Sequence, residues 1–430
     1  MTADRLDSSC PSRRPARPLA RFCGAALGSL LLVPLGAIGC GADDPANLAP
    51  PPRGQGQQFK MVSTLSPGQE IERCQFFVAP PEGLNINHDE VRYTPGSHHV
   101  LLYLTPYQQL PTQDERGRAR DTSTIMDCPE GATADWQVTG VLAGAQKREG
   151  GSMITYPPDT AFKVPGGAVL LMNTHYLNAS NESLTAETRV NVYTIPDDKL
   201  RQQGGLLFYY NPFIHIGPHS RSSARMRCDI SSDIQLTNVQ SHMHKRGVNY
   251  EAFVAEPPAG AGGRSLQPLY QNTEWENVPV RTFEPALTIR AGSALDYRCD
   301  YKNDEDRTVI QGASTKDEMC MLIGSYYPRQ PELEGCKNPR WVGTGSKSCQ
   351  VSMSCAIAAL SARDNEGFYG CVVDSCEAAS EPLSDALLCF FTRGNGACES
   401  KCKGPAGADC NDCVSQACSS KFSACTQTRC

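Results

Sequence analysis

Twenty-one cysteines constrain this chain more than any other feature. A reducing cytosol would leave that many thiols as a liability, so they point to an oxidising compartment. Twelve of them fall between Cys349 and Cys430. A segment that small holds little core and relies on disulfide staples. Its apolar residues recur at helix-like spacing, from Ala356 to Leu360 and from Leu387 to Phe391, which predicts short helices stapled together. Cys410-x-x-Cys413 has the spacing of a zinc or redox motif. The tail has no histidine and the compartment oxidises, which favours a structural disulfide role.

The N-terminus supplies a route to that compartment. Arg13, Arg14, Arg17 and Arg21 precede an apolar run, Ala25 to Ile38, that is short for a bilayer span. This reads as a secretory signal over residues 1–39. Its end, Leu35-Gly36-Ala37-Ile38-Gly39-Cys40, resembles the bacterial lipobox, whose cysteine is acylated and becomes the new N-terminus. Ordinary signal cleavage nearby is the other reading. The lipoprotein reading places the chain in the bacterial cell envelope, on an outer membrane, periplasmic or surface-exposed. Setting aside Cys10, Cys23 and Cys40 leaves 18 cysteines, an even number compatible with full pairing. Residues 40–59, rich in Pro, Ala, Gly and Gln, read as a flexible tether. The net charge of −6 offers no electrostatic footprint for nucleic acid.

Between tether and tail the pattern is strand-like. Runs such as Val100 to Leu104 and Ala168 to Met172 are bounded by Pro, Gly, Asn and Asp. The polar stretch Pro196 to Gly205 divides two strand-rich blocks, which predicts a mainly β chain with two antiparallel β-sandwich domains, 60–197 and 198–336. A polar linker, 337–348, would lead to the cysteine-rich module, 349–430.

Histidine is scarce, at eight residues. Ser241-His242-Met243-His244 places two imidazoles on one face of an extended strand, where they can converge on one metal ion. Met319, in Asp317-Glu318-Met319-Cys320, could add a thioether, and two nitrogens with a soft sulfur suit copper, Cu(I) above all. Two packed histidines and a core methionine would leave the same trace. His98 and His99 are adjacent, and neighbours in a regular strand face opposite ways, so a shared metal requires an irregular strand end. Alone they read as unrelated surface residues. His175 ends an apolar strand and, alone, reads as packed. His88, His215 and His219 read as unrelated to any site.

The order His-His, Thr-His-Tyr, His-x-His, Asp-Glu-Met-Cys and then Tyr326-Tyr327-Pro328 resembles the copper type II, ascorbate-dependent monooxygenases. That is the family of peptidylglycine alpha-hydroxylating monooxygenase and dopamine beta-monooxygenase, and the resemblance spans about Pro67 to Cys336. It implies two copper ions, each in its own sandwich, facing each other across a solvent-filled cleft. His98, His99 and His175 would hold the electron-storing copper. His242, His244 and Met319 would hold the copper where dioxygen binds and a C–H bond is broken. It also implies the disulfides Cys74–Cys128, Cys228–Cys336 and Cys299–Cys320, and ascorbate or another one-electron reductant. The substrate would be a small molecule or a peptide.

The departures limit the transfer. Peptide-amidating members carry an arginine two residues before the His-x-His pair, where this chain has Gln240. They also carry an asparagine and a tyrosine after the methionine, where this chain has Met321 and Ile323. Peptide amidation is therefore not carried over. Lys245 and Arg246 lie near enough to meet an anionic substrate, though a solvated charge pair serves as well. The alternative function is a non-catalytic copper-binding or interaction lipoprotein. Oligomeric state is not legible.

Overall fold

Along Gly56–Leu65, residues Phe59, Met61, Ser63 and Leu65 are buried while Lys60, Val62 and Thr64 face solvent. This period-two alternation is what a strand with one covered face requires, and it recurs through the molecule. The structure, a computed structural model, describes residues 46–147, 149–257, 265–402 and 407–430. Residues 1–39, read above as a secretory signal, and Cys40 lie outside the described residues.

Four sheets build two sandwiches, and the chain is mainly β as the strand pattern predicts. In the first, Gly56–Leu65, Leu184–Thr194, Leu84–Tyr93 and Thr160–Val164 lie side by side. They face a sheet containing Glu70–Val78, Val169–Leu177, Ser97–Leu104 and Gly140–Ala145. Phe59, Ile86 and Val190 meet Leu102 and Met172 in the core between them. In the second sandwich, Gly205–Tyr210, Cys320–Tyr327, Ile234–Met243 and Arg281–Ile289 form one sheet. Leu266–Asn272, Gly247–Ala255, Ala294–Lys302, Arg221–Asp229 and Pro339–Val342 form the other.

The sandwiches share a wall. In Cys320–Tyr327, Cys320 and Leu322 point into the second core, while Met321 and Ile323 join the core of the first. A strand covered on both faces reads as a continuous apolar run rather than an alternation, and Cys320-Met321-Leu322-Ile323 is one.

Two of the connecting segments are more ordered than their composition suggests. Within the presumed tether, the first strand begins at Gly56. Just ahead of it, the Leu48 and Ala49 carbonyls accept hydrogen bonds from Arg189 and Asn191. Ala46 and Leu48 are buried. Within the presumed linker, Pro339–Val342 is a strand paired with Arg221–Asp229. Glycine, proline and polar content say little about a segment whose backbone groups find partners on a neighbouring strand.

In the sandwiches Cys74 is bonded to Cys128, Cys228 to Cys336 and Cys299 to Cys320. The tail forms helices, among them Cys349–Ala362, Asn365–Val373 and Ser380–Phe391. Ser348 and Asp364 cap the first two by accepting the backbone N–H of Val351 and Gly367. All twelve tail cysteines are paired within the tail, Cys410 with Cys402 and Cys413 with Cys398. The Cys-x-x-Cys thiols therefore bond neither each other nor a metal.

The tail does not stand apart. Phe368, Val372, Leu383 and Leu387 belong to the core of the second sandwich. Phe213 packs edge-on against both Trp341 (4.6 Å between centroids) and Phe368 (5.5 Å). Removing a buried aromatic costs about 3–5 kcal/mol. Phe368→Ala should therefore destabilise the sandwich and not the tail alone, read as one cooperative urea transition moved to lower concentration. Loss of tail helix with an unmoved main transition would contradict this.

Candidate metal centre

Strand register gathers the first set of histidines. Across three neighbouring strands, Glu72 pairs with His175 and His175 pairs with His99. Directly opposed residues of an antiparallel ladder share a face, so these three side chains form a row on the outer face of the first sandwich. His98 joins them through a bulge: Ser97 pairs with Tyr176 and His99 with His175, leaving His98 as the extra residue. A bulge re-aims a side chain, which supplies the irregular strand end that two adjacent ligands need. One ligand atom from each of His98, His99 and His175 lies within 4.8 Å of the others.

The second set is arranged the same way. His242 pairs with Met321 and Met243 with Cys320. Continuing that register sets Met319 opposite His244. His242, His244, Met319 and Met321 therefore share the face turned toward the first sandwich, while Met243 is buried in the second core. The rings of His242 and His244 lie 5.2 Å apart. Met319 is half-buried and packs against the first core, and its carbonyl accepts the Tyr301 hydroxyl at 2.8 Å. The Cys299–Cys320 disulfide holds the next residue in place.

Partners on the far ring nitrogens decide which nitrogen is left for a metal. His175 donates Nε2–H to Glu70 at 3.1 Å, leaving Nδ1 buried and without a partner. The Nε2 of His99 faces Glu72 at 3.7 Å, and its Nδ1 lies 3.2 Å from Nδ1 of His98. In the second set, His242 donates Nδ1–H to Gln146 at 2.6 Å, and His244 donates Nδ1–H to the Asp317 carbonyl at 3.0 Å. The Nε2 of His244 is buried and unpartnered. Such outer contacts set the tautomer and orientation of metal-binding histidines. Buried nitrogens without partners on His98 and His175, with His99 beside them, fit one metal ion, and the unpartnered Nε2 of His244 belongs to a ring that lies beside that of His242. An all-imidazole set and an imidazole–thioether set both suit copper.

Burial holds four of these imidazoles, those of His98, His99, His242 and His244, neutral. It pushes His98 down to about 3 and His244 down to about 4, and keeps His99 and His242 well below the ordinary histidine range. The hydrogen bond from His175, with those from Thr315, holds the Glu70 carboxyl down at about 2, whereas burial pushes Glu72 up. Glu318, raised by burial to about 7, accepts the backbone N–H groups of His244 and Arg246 and braces the turn after the His-x-His pair.

Gln146, Glu70 and Glu72 carry no motif. Gln146 crosses from the first sandwich, donating Nε2–H to the Ser241 carbonyl and to Gln240. Glu70 crosses too, accepting from Thr315 N (3.1 Å) and Oγ1 (2.8 Å) on the loop leading to Met319. The spacing Glu70-Ile71-Glu72 on one strand face was a usable signal. These bridges close the expected cleft: the rings of His99 and His242 lie 5.7 Å apart. What remains open is a cavity of about 380 Å³ beside them. Arg246 is buried and bonded to Glu305, and the exposed Lys245 pairs with the same carboxylate at 3.3 Å. His219 meets Asp306 and His88 stacks on Tyr193, both away from the centre.

Residues 206–343 match the family model of the copper type II ascorbate-dependent monooxygenase, C-terminal domain. That is the second sandwich, from its first strand through Pro339–Val342, and it includes His242, His244 and Met319. Among solved structures, a peptide-N(4)-(N-acetyl-β-D-glucosaminyl) asparagine amidase is similar at TM-score 0.26 and 8% identity, over 62% of this chain and 95% of that one. The infectious bursal disease virus Gx strain protein is similar at TM-score 0.17 and 7% identity, over 66% of this chain and 75% of that one. Likenesses this weak carry no argument.

Two outcomes follow for the two sandwiches. Histidines whose pKa is lowered by folding take up protons first in the unfolded chain, so their stabilisation is present at pH 7 and drains as pH falls below about 6.5. The melting temperature of the copper-free protein should fall by several degrees between pH 7 and pH 5, and a flat profile would contradict the neutral cluster. Glu70→Gln should weaken metal binding at His98, His99 and His175 by about 10–100-fold, measured by competition with a Cu(I) chelator.

Proposed function

We propose that this protein is a secreted copper monooxygenase that hydroxylates a C–H bond, anchored to the bacterial envelope through a lipid on Cys40. One observation carries the reading. The cavity between the sandwiches is walled by His99 of one histidine set and by His242 and Met319 of the other. A molecule there sits against both candidate metal sites.

His98, His99 and His175 would hold one copper, and His242, His244 and Met319 the other. Bound copper supplies one-electron redox chemistry and activation of dioxygen, with the thioether favouring Cu(I). Dioxygen, two electrons, two protons and one C–H bond yield one alcohol and one water. Ascorbate or another one-electron donor supplies the electrons. The protein's share is placement. Glu70 and Gln146 fix the ring faces of His175 and His242 and tie the sandwiches together, so that the two sites keep one spacing. The apolar cavity wall excludes water from the reacting C–H bond.

The test is an anaerobic Cu(I) titration of residues 41–430, with X-ray absorption on wild type and Met319→Ile. Two equivalents should bind, with a copper–sulfur distance in the wild type that is lost in the variant. Oxygen consumption with ascorbate should fall with it by about 100-fold or more. One equivalent or none sinks the proposal. Two equivalents without oxygen use would favour the alternative, a copper-binding lipoprotein.

A further inference from the structure

The cavity beside the histidines has walls from both sandwiches. Leu101, Tyr103 and Met153 line it on one side, and Phe208, Met321 and Ile323 on the other. Phe208 and Ile323 are cross-strand partners, so they form one apolar plate. Among the described residues no lysine or arginine lines it.

Its carboxylates and amides are already committed. Glu72 accepts Asn173 Nδ2–H at 2.7 Å and faces His99, while Gln146 is spent on His242, Gln240 and Ser241. Gln311 accepts the Tyr210 hydroxyl and donates to Tyr369. Glu130, at the mouth, is paired with Arg116. An anion entering this space would lose its hydration and meet carboxylates in place of a cation, and a cation would find Glu72 already engaged by Asn173 and His99 and Glu130 by Arg116, so both are costly. A peptide would bring further unpaired backbone groups. The volume, about 380 Å³, falls in the small-molecule range.

We propose that this cavity takes an uncharged, largely apolar small molecule; its role as substrate rests on the monooxygenase reading. The ligand is held by shape and apolar burial, without an ion pair.

The experiment is calorimetric titration of copper-free protein, residues 41–430, with three probes of similar shape: ethylbenzene, phenethylamine and 3-phenylpropanoate. Ethylbenzene should bind at least about tenfold more tightly than either ion. Phe208→Lys should abolish ethylbenzene binding and admit 3-phenylpropanoate. Leu101→Glu, on the opposite wall, should abolish it independently should the first variant not fold. Equal or tighter binding of either ion, or heat from none of the three, overturns the proposal. Ethylbenzene binding untouched by both substitutions overturns its placement here. No copper or oxygen enters this titration, so its result separates from that of the copper experiment: copper can fill both sites while ethylbenzene fails, and the reverse.

Discussion

The pairing of Ile234–Met243 with Cys320–Tyr327 is the constraint on which the rest depends. Strand residues alternate between faces, so a slip of one position would send His242 and His244 into the second core and bring Met243 out. Three contacts hold the register. Leu322 and Leu236 are buried in the second core, Met321 and Ile323 in the first, and Cys320 is bonded to Cys299. Because this strand is buried on both sides, the fold of each sandwich and the position of the metal ligands are one problem and not two.

The histidine site of the first sandwich is built by a different device. There the sheet supplies a row, Glu72, His175 and His99, and a bulge supplies the third imidazole. The row carries its own outer contacts, since the carboxylates behind the rings come from the strand beside them. Glu70 then reaches past His175 to Thr315, near Met319. The environment of one histidine set is thereby coupled to the loop that carries the sulfur of the other.

Much of this was legible in the sequence, for reasons that can be named. His242 and His244 are two apart in a strand, and period two survives any detail of packing. The two strand-rich blocks and the stapled helical tail followed from turn residues and cysteine density. The bulge at His98 was visible only as a geometric need, because one residue too many on a strand leaves no mark in composition. Gln146 was invisible, and the Glu70-Ile71-Glu72 spacing could mark a face but not its partners, because those partners lie about a hundred residues away or more, on the other sandwich or a distant strand. The strand Pro339–Val342 and the ordered stretch before Gly56 were hidden by polar and glycine-rich sequence, since edge pairing asks only for backbone groups. The welding of the tail to the second sandwich through Phe213, Trp341 and Phe368 was hidden too, because twelve cysteines suggest a self-sufficient module.

The nine disulfides among the described residues bear on what could serve the proposed centre as an electron source. A dithiol reductant exchanges with disulfide sulfurs that it can reach, and Cys299–Cys320, buried in the folded chain, sits one residue from Met319. On the proposed function, a donor that gives single electrons and forms no sulfur–sulfur bond would serve the centre without opening the scaffold.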